Sequence, residues 1–221
     1  EDSIYQISDY VEIDEKNLNI YSRQIALKIY EVGTLVEGMI KRIINDNALD
    51  TFPGLSDALA EARRDSAPFP TIQSYRNVLE PVFCLSSRSA NFRLFTFSIK
   101  LQPFNSFKRN YDVSPYWWDI YNSVKHDFFL NLPKATLERL IEGAGALFIL
   151  NILCRKHWPA LVLHNRLMGG YRHTQLAMFV PEPLNEEKLH QKLHEIFLPH
   201  LNVIVPVFEI SDIFANSRLF L

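Results

Sequence analysis

The segment NIYSRQIALKIYEVGTLVEGMIKRIIN, residues 19–45, has the clearest periodicity in the chain and decides the fold class. Its large apolar side chains recur at alternating steps of four and three residues: Ile25, Ile29, Val32, Val36, Met39 and Ile43. This spacing places them on one face of an α-helix and is typical of the seam of a long helix in a bundle. Gly33 and Gly38 each cost such a helix about 1 kcal/mol, so we expect both to let a neighbouring helix approach closely.

The composition of the whole chain fits a globular, helix-rich protein. Of its 221 residues, 48% are hydrophobic and 22% charged, and 16 Phe, 9 Tyr and 3 Trp stand against only 7 Gly. These values exclude a disordered polymer, a collagen-like fibre and a disulfide scaffold. Lys and Arg total 23 against 25 Asp and Glu, a net charge of −2. This balance argues against a chain that coats nucleic acid, but it is compatible with a local basic patch.

Cysteine usage and hydropathy both indicate a cytoplasmic protein without a membrane partner. Cys84 and Cys154 are far apart and no Cys-x-x-Cys occurs, so we expect two free, buried thiols rather than a redox pair or a zinc site. The segment EDSIYQISDYVEID at the start is acidic and does not resemble a secretory leader. The longest apolar run, residues 143–153, is shorter than the about 20 residues needed to span a bilayer.

Further helices are predicted from caps and breaks. We expect a short helix at 55–64, a helix that begins after Thr71 and ends before Pro81, and a helix opened by Ser114-Pro115. Asn131 with Pro133 is expected to open the last long helix, which runs to about residue 156. The main helices of a four- or five-helix bundle are therefore predicted at 19–46, 71–80, 115–128 and 133–156.

Two parts of the chain have extended patterns. Residues 95–101 alternate apolar and polar side chains, which predicts a strand, although a helix over 89–101 is an alternative. In the tail, 160–164, 175–180 and 203–208 are predicted to form a small sheet packed on one end of the bundle, with a helix at 185–197. We therefore divide the chain into a helical bundle at 1–157 and an α+β extension at 158–221.

Six of the seven histidines lie between His157 and His200, which raises the question of a metal site. His190 and His194 are four residues apart, and Glu187 precedes them on the same predicted helix face. The sequence is not His-Glu-x-x-His, and its apolar spacing is explained by an ordinary amphipathic helix. We therefore predict no metal and no cofactor.

Residues 115–127, PYWWDIYNSVKHD, are the segment in which chemistry is expected. On a helical wheel Trp117, Tyr121, Val124 and Phe128 form one apolar stripe, flanked by Trp118 and Lys125. Asp119, Asn122 and His126 lie on the opposite face. Asn122 is four residues before His126 and could hydrogen-bond to it, whereas Asp119 is two turns away, about 10 Å along the axis.

An imidazole beside an amide and an ammonium is suited to phosphodiester chemistry. We expect His126 to act as acid and base near neutral pH, Lys125 to bind phosphate and Asn122 to orient the imidazole. The alternative is that His126 only caps or bridges helices and the aromatic side chains are core. Three basic clusters, Arg63-Arg64, Lys108-Arg109 and Arg155-Lys156-His157, are most simply solvated surface, with contact to RNA phosphates as the alternative.

Two segments resemble proteins of the bacterial HEPN superfamily. YVEIDEKNLNIYSRQIALKIYEVGTLVEGMIK is similar to their first long helix, and WWDIYNSVKHDFFLNLPKATLERLIEGAGALFILNIL to their closing helix pair, with the pattern Trp-x-x-Tyr-Asn-x-x-Lys-His. The resemblance covers about residues 10–155. It implies a compact helical bundle of the kind found in toxin–antitoxin, phage-defence and RNA-cleaving systems. By this resemblance Trp118, Asp119 and Tyr121 are expected to bind substrate beside His126, Lys125 and Asn122.

Active HEPN ribonucleases resemble one another in an Arg followed after four to six residues by a His, with two copies meeting across a homodimer. Here Asp119, Ile120 and Tyr121 stand where the Arg belongs, and Lys125 is a point charge rather than a bidentate fork. Arg166 and His173 have the spacing, but Gly169-Gly170 interrupts the helix that the pattern requires.

Two functions therefore stay open. The first is an RNA-cleaving or RNA-binding homodimer of bacterial defence or toxin type. The second is a non-catalytic helical module that dimerises or binds a cognate partner protein.

Overall fold

The fold of the chain is mainly helical. A computed structural model describes residues 2–45, 47–94, 96–108, 113–154 and 179–181. Its α-helices are α1 (Asp2–Ser8), α2 (Arg23–Ile44), α3 (Ser56–Ala62), α4 (Ile72–Phe83), α5 (Tyr116–His126), α6 (Phe128–Asn131) and α7 (Leu137–Leu153). The strands are β1 (Ala90–Leu94), β2 (Phe97–Leu101) and β3 (Phe179–Pro181). Short 3₁₀ turns lie at Glu15–Asn17, Asn47–Thr51, Leu85–Ser87, Asn105–Lys108 and Leu132–Lys134. The prediction of a mainly helical fold is confirmed.

Helix α2 is the centre of the core, as its periodicity predicts. It begins after Ser22, whose Oγ accepts a hydrogen bond from the backbone N–H of Ile25 at 3.1 Å. Five of the six seam residues are buried and Val32 is half-buried. This face packs along α7 and also against α5 and α4. The core therefore forms where α2 meets the last helices of the chain.

The two glycines of α2 have different surroundings. A Cβ at Gly33 would lie 2.7 Å from Cε2 of Tyr121 and closer still to Cδ2 and Cγ of that ring. Gly33 therefore allows α5 to approach, as predicted. The same prediction is wrong for Gly38, which is exposed and has no atom within 4 Å of the place where its Cβ would be.

Helix α4 has the predicted start and a different end. The side chain of Thr71 accepts from the N–H of Ser74 and the hydroxyl of Ser74 accepts from the N–H of Thr71, at 3.4 and 3.3 Å. The helix continues past Pro81 to Phe83, so the predicted stop is wrong. In its last turn a proline removes one helical hydrogen bond, and the burial of Val82 and Phe83 offsets that cost.

The two cysteines are free thiols, as predicted, in unequal surroundings. Cys154 is buried directly after α7. Cys84 ends α4 with φ +50°, in the left-handed region, and is only half-buried. The prediction that both thiols are buried is therefore confirmed for Cys154 and wrong for Cys84.

The strands form one antiparallel sheet in the order β2-β1-β3. Strands β1 and β2 make a hairpin in which Ala90 faces Leu101 and Leu94 faces Phe97. The strand interpretation of 95–101 is thus confirmed for Phe97–Leu101, and the helix alternative at 89–101 is wrong. Residues 179 and 180 of the predicted stretch 175–180 are extended, and their partner is β1. The stretches 160–164, 185–197 and 203–208 lie outside the described residues, as do Arg166, His173, Glu187, His190 and His194.

The connection from α5 to α7 differs from the prediction. Pro115, not Ser114, occupies the N-cap position of α5. Helix α7 begins at Leu137 instead of near Asn131, because the side-chain amide of Asn131 donates to the carbonyls of Ser123 and Asp127, both at 2.9 Å. The N–H groups of Leu137 and Glu138 donate to the carbonyls of Ile20 and Leu18, each at 2.9 Å. The segment before α2 therefore caps α7. Helix α7 ends at Leu153, and the predicted end near 156 lies outside the described residues.

No helix in the described part of the chain is long and apolar enough to cross a membrane.

Candidate functional site

A groove of about 840 Å³ lies between α5, the carboxyl-terminal half of α2 and the loop that joins α3 to α4. Five of the six predicted site residues line it: Trp118, Asp119, Asn122, Lys125 and His126. The opposite wall holds residues that the sequence did not single out, among them Lys41, Phe69 and Tyr75. The groove therefore brings together side chains from three separate parts of the chain.

His126 is the last residue of α5, where the imidazole is exposed to solvent. A basic side chain is favourable here because the carboxyl end of a helix carries partial negative charge. The predicted hydrogen bond from Asn122 to His126 is not formed between these two described residues. The imidazole has no hydrogen bond or ion pair with any other described residue, so both ring nitrogens are accessible to a ligand in the groove.

Tyr121 has a different environment from the other predicted site residues. Its ring is 1% exposed, packs against Gly33, and lies 5.3 Å from the Trp118 ring and 6.2 Å from the Tyr30 ring between centroids. Its hydroxyl donates to Oε2 of Glu37 at 3.0 Å. Tyr121 does not line the groove; it forms the floor beneath it and fixes a carboxylate that does.

Glu37 is the shared hydrogen-bond acceptor of three side chains at the groove. Its carboxylate accepts hydrogen bonds from Lys41 Nζ at 2.7 Å and from Lys125 Nζ at 3.3 Å, in addition to Tyr121. Lys125 Nζ also lies 3.4 Å from the Tyr121 hydroxyl and 5.4 Å from the centroid of that ring. This network joins α2 to α5 and sets the spacing between the two helices.

The network also fixes the protonation states. Partial burial acts to raise the pKa of Glu37, but hydrogen bonds from Lys41 and Tyr121 and the charges of Lys41 and Lys125 outweigh it, so this pKa lies below 4.5. Partial burial acts to lower the pKa of Lys125, but Tyr121 and Glu37 outweigh it and raise the value above 10.5. Burial raises the pKa of Tyr75 above 10.0. At neutral pH Glu37 is therefore a carboxylate, Lys41 and Lys125 are ammonium groups, and Tyr75 is a neutral phenol.

Two arginines extend the positive charge along the loop after α3. Arg63 is held by the Ile44 carbonyl, at 2.9 Å from Nε and 2.6 Å from Nη2, and by the carboxylate of Asp50. Arg64 is exposed, and within the described residues its guanidinium has no hydrogen bond or ion pair. The sequence showed this pair only as a small basic cluster, and the fold places both arginines on the groove.

Acidic residues stand at the same groove. Asp119 accepts a hydrogen bond from the hydroxyl of Ser114, and Asp65 lies beside the two arginines. Among the described lining residues, Lys41, Arg63, Arg64 and Lys125 are balanced in part by Glu37, Asp65 and Asp119. The groove is therefore mixed in charge, with the cations on both walls and His126 at one end.

Some of the missed residues had a signal in the sequence. Glu37 and Lys41 are four residues apart on α2, a spacing that predicts an ion pair on one helix face. Nothing local indicates that this pair meets Lys125, 88 residues from Glu37. Phe69 and Tyr75 have no local signal, because their place on the groove is set by how α4 packs against α2 and α3.

The described residues contain no group of three or more His, Cys, Asp or Glu side chains that could hold a metal ion. No family model, curated protein or solved structure matches the chain at a significant level. The resemblance to the HEPN superfamily therefore stays a prediction from the sequence.

Proposed function

We propose that the groove binds RNA through its phosphates and that His126 transfers protons in cleavage of the RNA backbone, in a HEPN-like protein of bacterial defence or toxin type. The observation that carries this proposal is the exposed imidazole of His126, which has no partner among the described residues and shares one groove with Lys125, Lys41 and Arg64. The defence or toxin setting depends on the sequence resemblance.

The chemistry requires only side chains of the groove. The imidazole of one His126 can take the proton of a ribose 2′-hydroxyl, whose oxygen then attacks the adjacent phosphorus, while the leaving 5′-oxygen takes a proton from the protonated His126 of a second copy of the chain. Lys125, an ammonium at neutral pH, and Arg64 would stabilise the charge on the phosphate oxygens. Within the part of the chain that the structure describes, no side chain orients His126, which is consistent with an imidazole that is positioned by substrate or by a second copy of the chain.

A homodimer is part of this proposal. In the family that the sequence resembles, two copies build one site, so two His126 side chains would supply the base and the acid across a two-fold axis. Because the substrate is RNA, we propose the cytoplasm as the compartment.

A second candidate is a non-catalytic helical module that dimerises or binds a cognate partner protein. It is favoured by the contacts of Lys125, because this side chain hydrogen-bonds to Glu37 and Tyr121 and so joins α5 to α2. In this candidate the polar side chains of α5 only cap the helix and bridge it to its neighbours. The Arg that active HEPN ribonucleases carry four to six residues before the His is then not needed.

The test compares RNA cleavage by the unmodified chain with cleavage by His126→Ala and Lys125→Ala. A lost proton donor or acceptor is expected to lower the rate about 100- to 10,000-fold for His126→Ala. Lys28→Ala is the matched control for Lys125→Ala, because Lys28 also pairs with a glutamate at 2.8 Å but does not line the groove. The mass in solution is measured in parallel.

Binding separates the two candidates when cleavage is absent. If Lys125 contacts a phosphate, Lys125→Ala lowers the salt dependence of RNA affinity by about 0.7 in the log–log slope, and Lys28→Ala leaves it unchanged. If the chain is a dimer and both Lys125→Ala and His126→Ala still cleave RNA, the reacting groups lie elsewhere in the chain. A chain that neither binds nor cleaves RNA supports the partner-binding module.

A further inference from the structure

The groove has an exposed aromatic side chain on the loop that joins α3 to α4. Phe69 lines the groove and is 68% exposed, although it is among the largest apolar side chains of the protein. A single exposed apolar residue is ordinary on a protein surface. Phe69 differs because it lines a groove that also holds Lys41, Arg64 and Lys125, and because the loop that carries it is anchored at both ends.

Several contacts fix the loop that carries Phe69. At one end Arg63 is bound to the Ile44 carbonyl by two donors, and at the other the capping box of Thr71 and Ser74 opens α4. The hydroxyl of Ser74 also donates to Glu61 of α3 at 2.6 Å, which joins the two helices beneath the loop. Pro68 and Pro70 on either side of Phe69 restrict its backbone further. The ring is thus presented to solvent by a segment that has little conformational freedom to lose on binding.

We propose that Phe69 is a stacking platform for one unpaired base of the RNA, while Arg64 on the same loop binds the adjacent backbone. This inference rests on the proposed function. Proteins that bind single strands combine cations along the backbone with an aromatic ring on which a base stacks, and the groove has both. A duplex hides the faces of its bases, so a platform of this kind selects RNA that is unpaired at that nucleotide.

The competing occupant is a peptide of a partner protein, which would also bury Phe69. The charges favour RNA, because four described cations line the groove against three carboxylates and Arg64 has no partner among the described residues. Phosphates can take up this excess of donors, whereas a neutral peptide would leave the donors unpaired.

The experiment measures affinity for an unpaired RNA of about ten nucleotides and for a series in which each position in turn lacks its base. The full-length chain carries His126→Ala throughout, so that the probe is not cleaved. Four forms are compared: no further change, Phe69→Ala, Phe69→Trp and Tyr10→Ala. Tyr10, which is 89% exposed and does not line the groove, controls for loss of an exposed aromatic ring.

We expect Phe69→Ala to weaken binding of the intact probe about 5- to 150-fold and Phe69→Trp and Tyr10→Ala to leave it unchanged. One abasic position should weaken binding to the form with Phe69 by the same factor and leave Phe69→Ala unaffected, because the ring and the base are then partners. The inference is overturned if the two losses multiply, if Phe69→Ala binds normally, or if a duplex binds as tightly as the single strand. Binding of no RNA by any form overturns the proposed function itself, and with it this inference.

Discussion

The two faces of α5 have opposite environments, although they share eleven residues of chain. On the core face Trp117, Tyr121 and Val124 are each at most 2% exposed and pack against α2 and α7. On the groove face His126 and Asp119 are exposed and Asn122 is half-buried. Residues that hold the fold and residues that could react with a ligand therefore alternate along a single helix.

The two faces divide the Trp-x-x-Tyr-Asn-x-x-Lys-His pattern of α5 into a core part and a groove part. The Trp, Tyr and Asn of the family-like pattern do not form one chemical unit, because Tyr121 is in the core while Asn122 lines the groove. Lys125 lies at the boundary, where it contacts both the Tyr121 ring and the Glu37 carboxylate. Substitutions on the two faces should accordingly separate loss of stability from loss of function.

The largest expected effect is on the core face. Tyr121→Ala should lower the free energy of unfolding by about 3–5 kcal/mol, because it leaves a cavity between α2 and α5 and removes a donor from Glu37. His126→Ala on the other face should change it by less than about 0.5 kcal/mol. Denaturant unfolding of both variants measures the difference. Equal losses at the two positions would contradict the opposite environments of the two faces.

The next effect distinguishes the two glycines of α2. Gly33→Ala should destabilise by about 1–3 kcal/mol, because its Cβ would overlap the buried Tyr121 ring. Gly38→Ala is the matched control, and it should stabilise by about 0.5–1 kcal/mol since the site is open and alanine favours the helix. Thermal unfolding of both variants gives the signs. A stabilising Gly33→Ala would show that α5 does not lie against α2 at this point.

The smallest effect concerns Glu37, which connects the two faces. Glu37→Gln should cost about 1 kcal/mol at neutral pH, since it replaces a carboxylate that accepts from Lys41, Lys125 and Tyr121. The folded-state pKa of Glu37 is below 4.5, so its contribution is complete above that pH and is lost as pH falls through the folded value. The difference between parent and variant should therefore shrink in acid.

Urea unfolding across this pH range measures the effect. Glu31→Gln, which breaks the exposed pair with Lys28, is the control and should cost less than about 0.5 kcal/mol at neutral pH. The proposed function adds a second readout, because freeing Lys41 and Lys125 should tighten RNA binding in Glu37→Gln. A variant that loses both stability and RNA affinity would indicate that Glu37 positions the lysines for the ligand.

Part of the candidate site could be predicted from local patterns. The wheel of α5 correctly separated the apolar stripe from the face of Asp119, Asn122 and His126, because the period of the helix alone determines this separation. The wheel could not show that Asn131, rather than Asn122, uses its amide on the end of α5. Which amide caps a helix depends on how the chain turns after it.

Local patterns were enough to predict the elements, because the 4-3 seam of α2, the Thr71 cap of α4 and the alternation of β2 each act over a few residues. The packing of distant segments places an aromatic ring against Gly33 and not Gly38, and brings the Tyr121 hydroxyl to Glu37 across 84 residues of chain. It also places Arg64, Phe69 and His126 on one groove. Such pairings depend on which apolar faces pack together, and periodicity shows that a face exists without showing its partner.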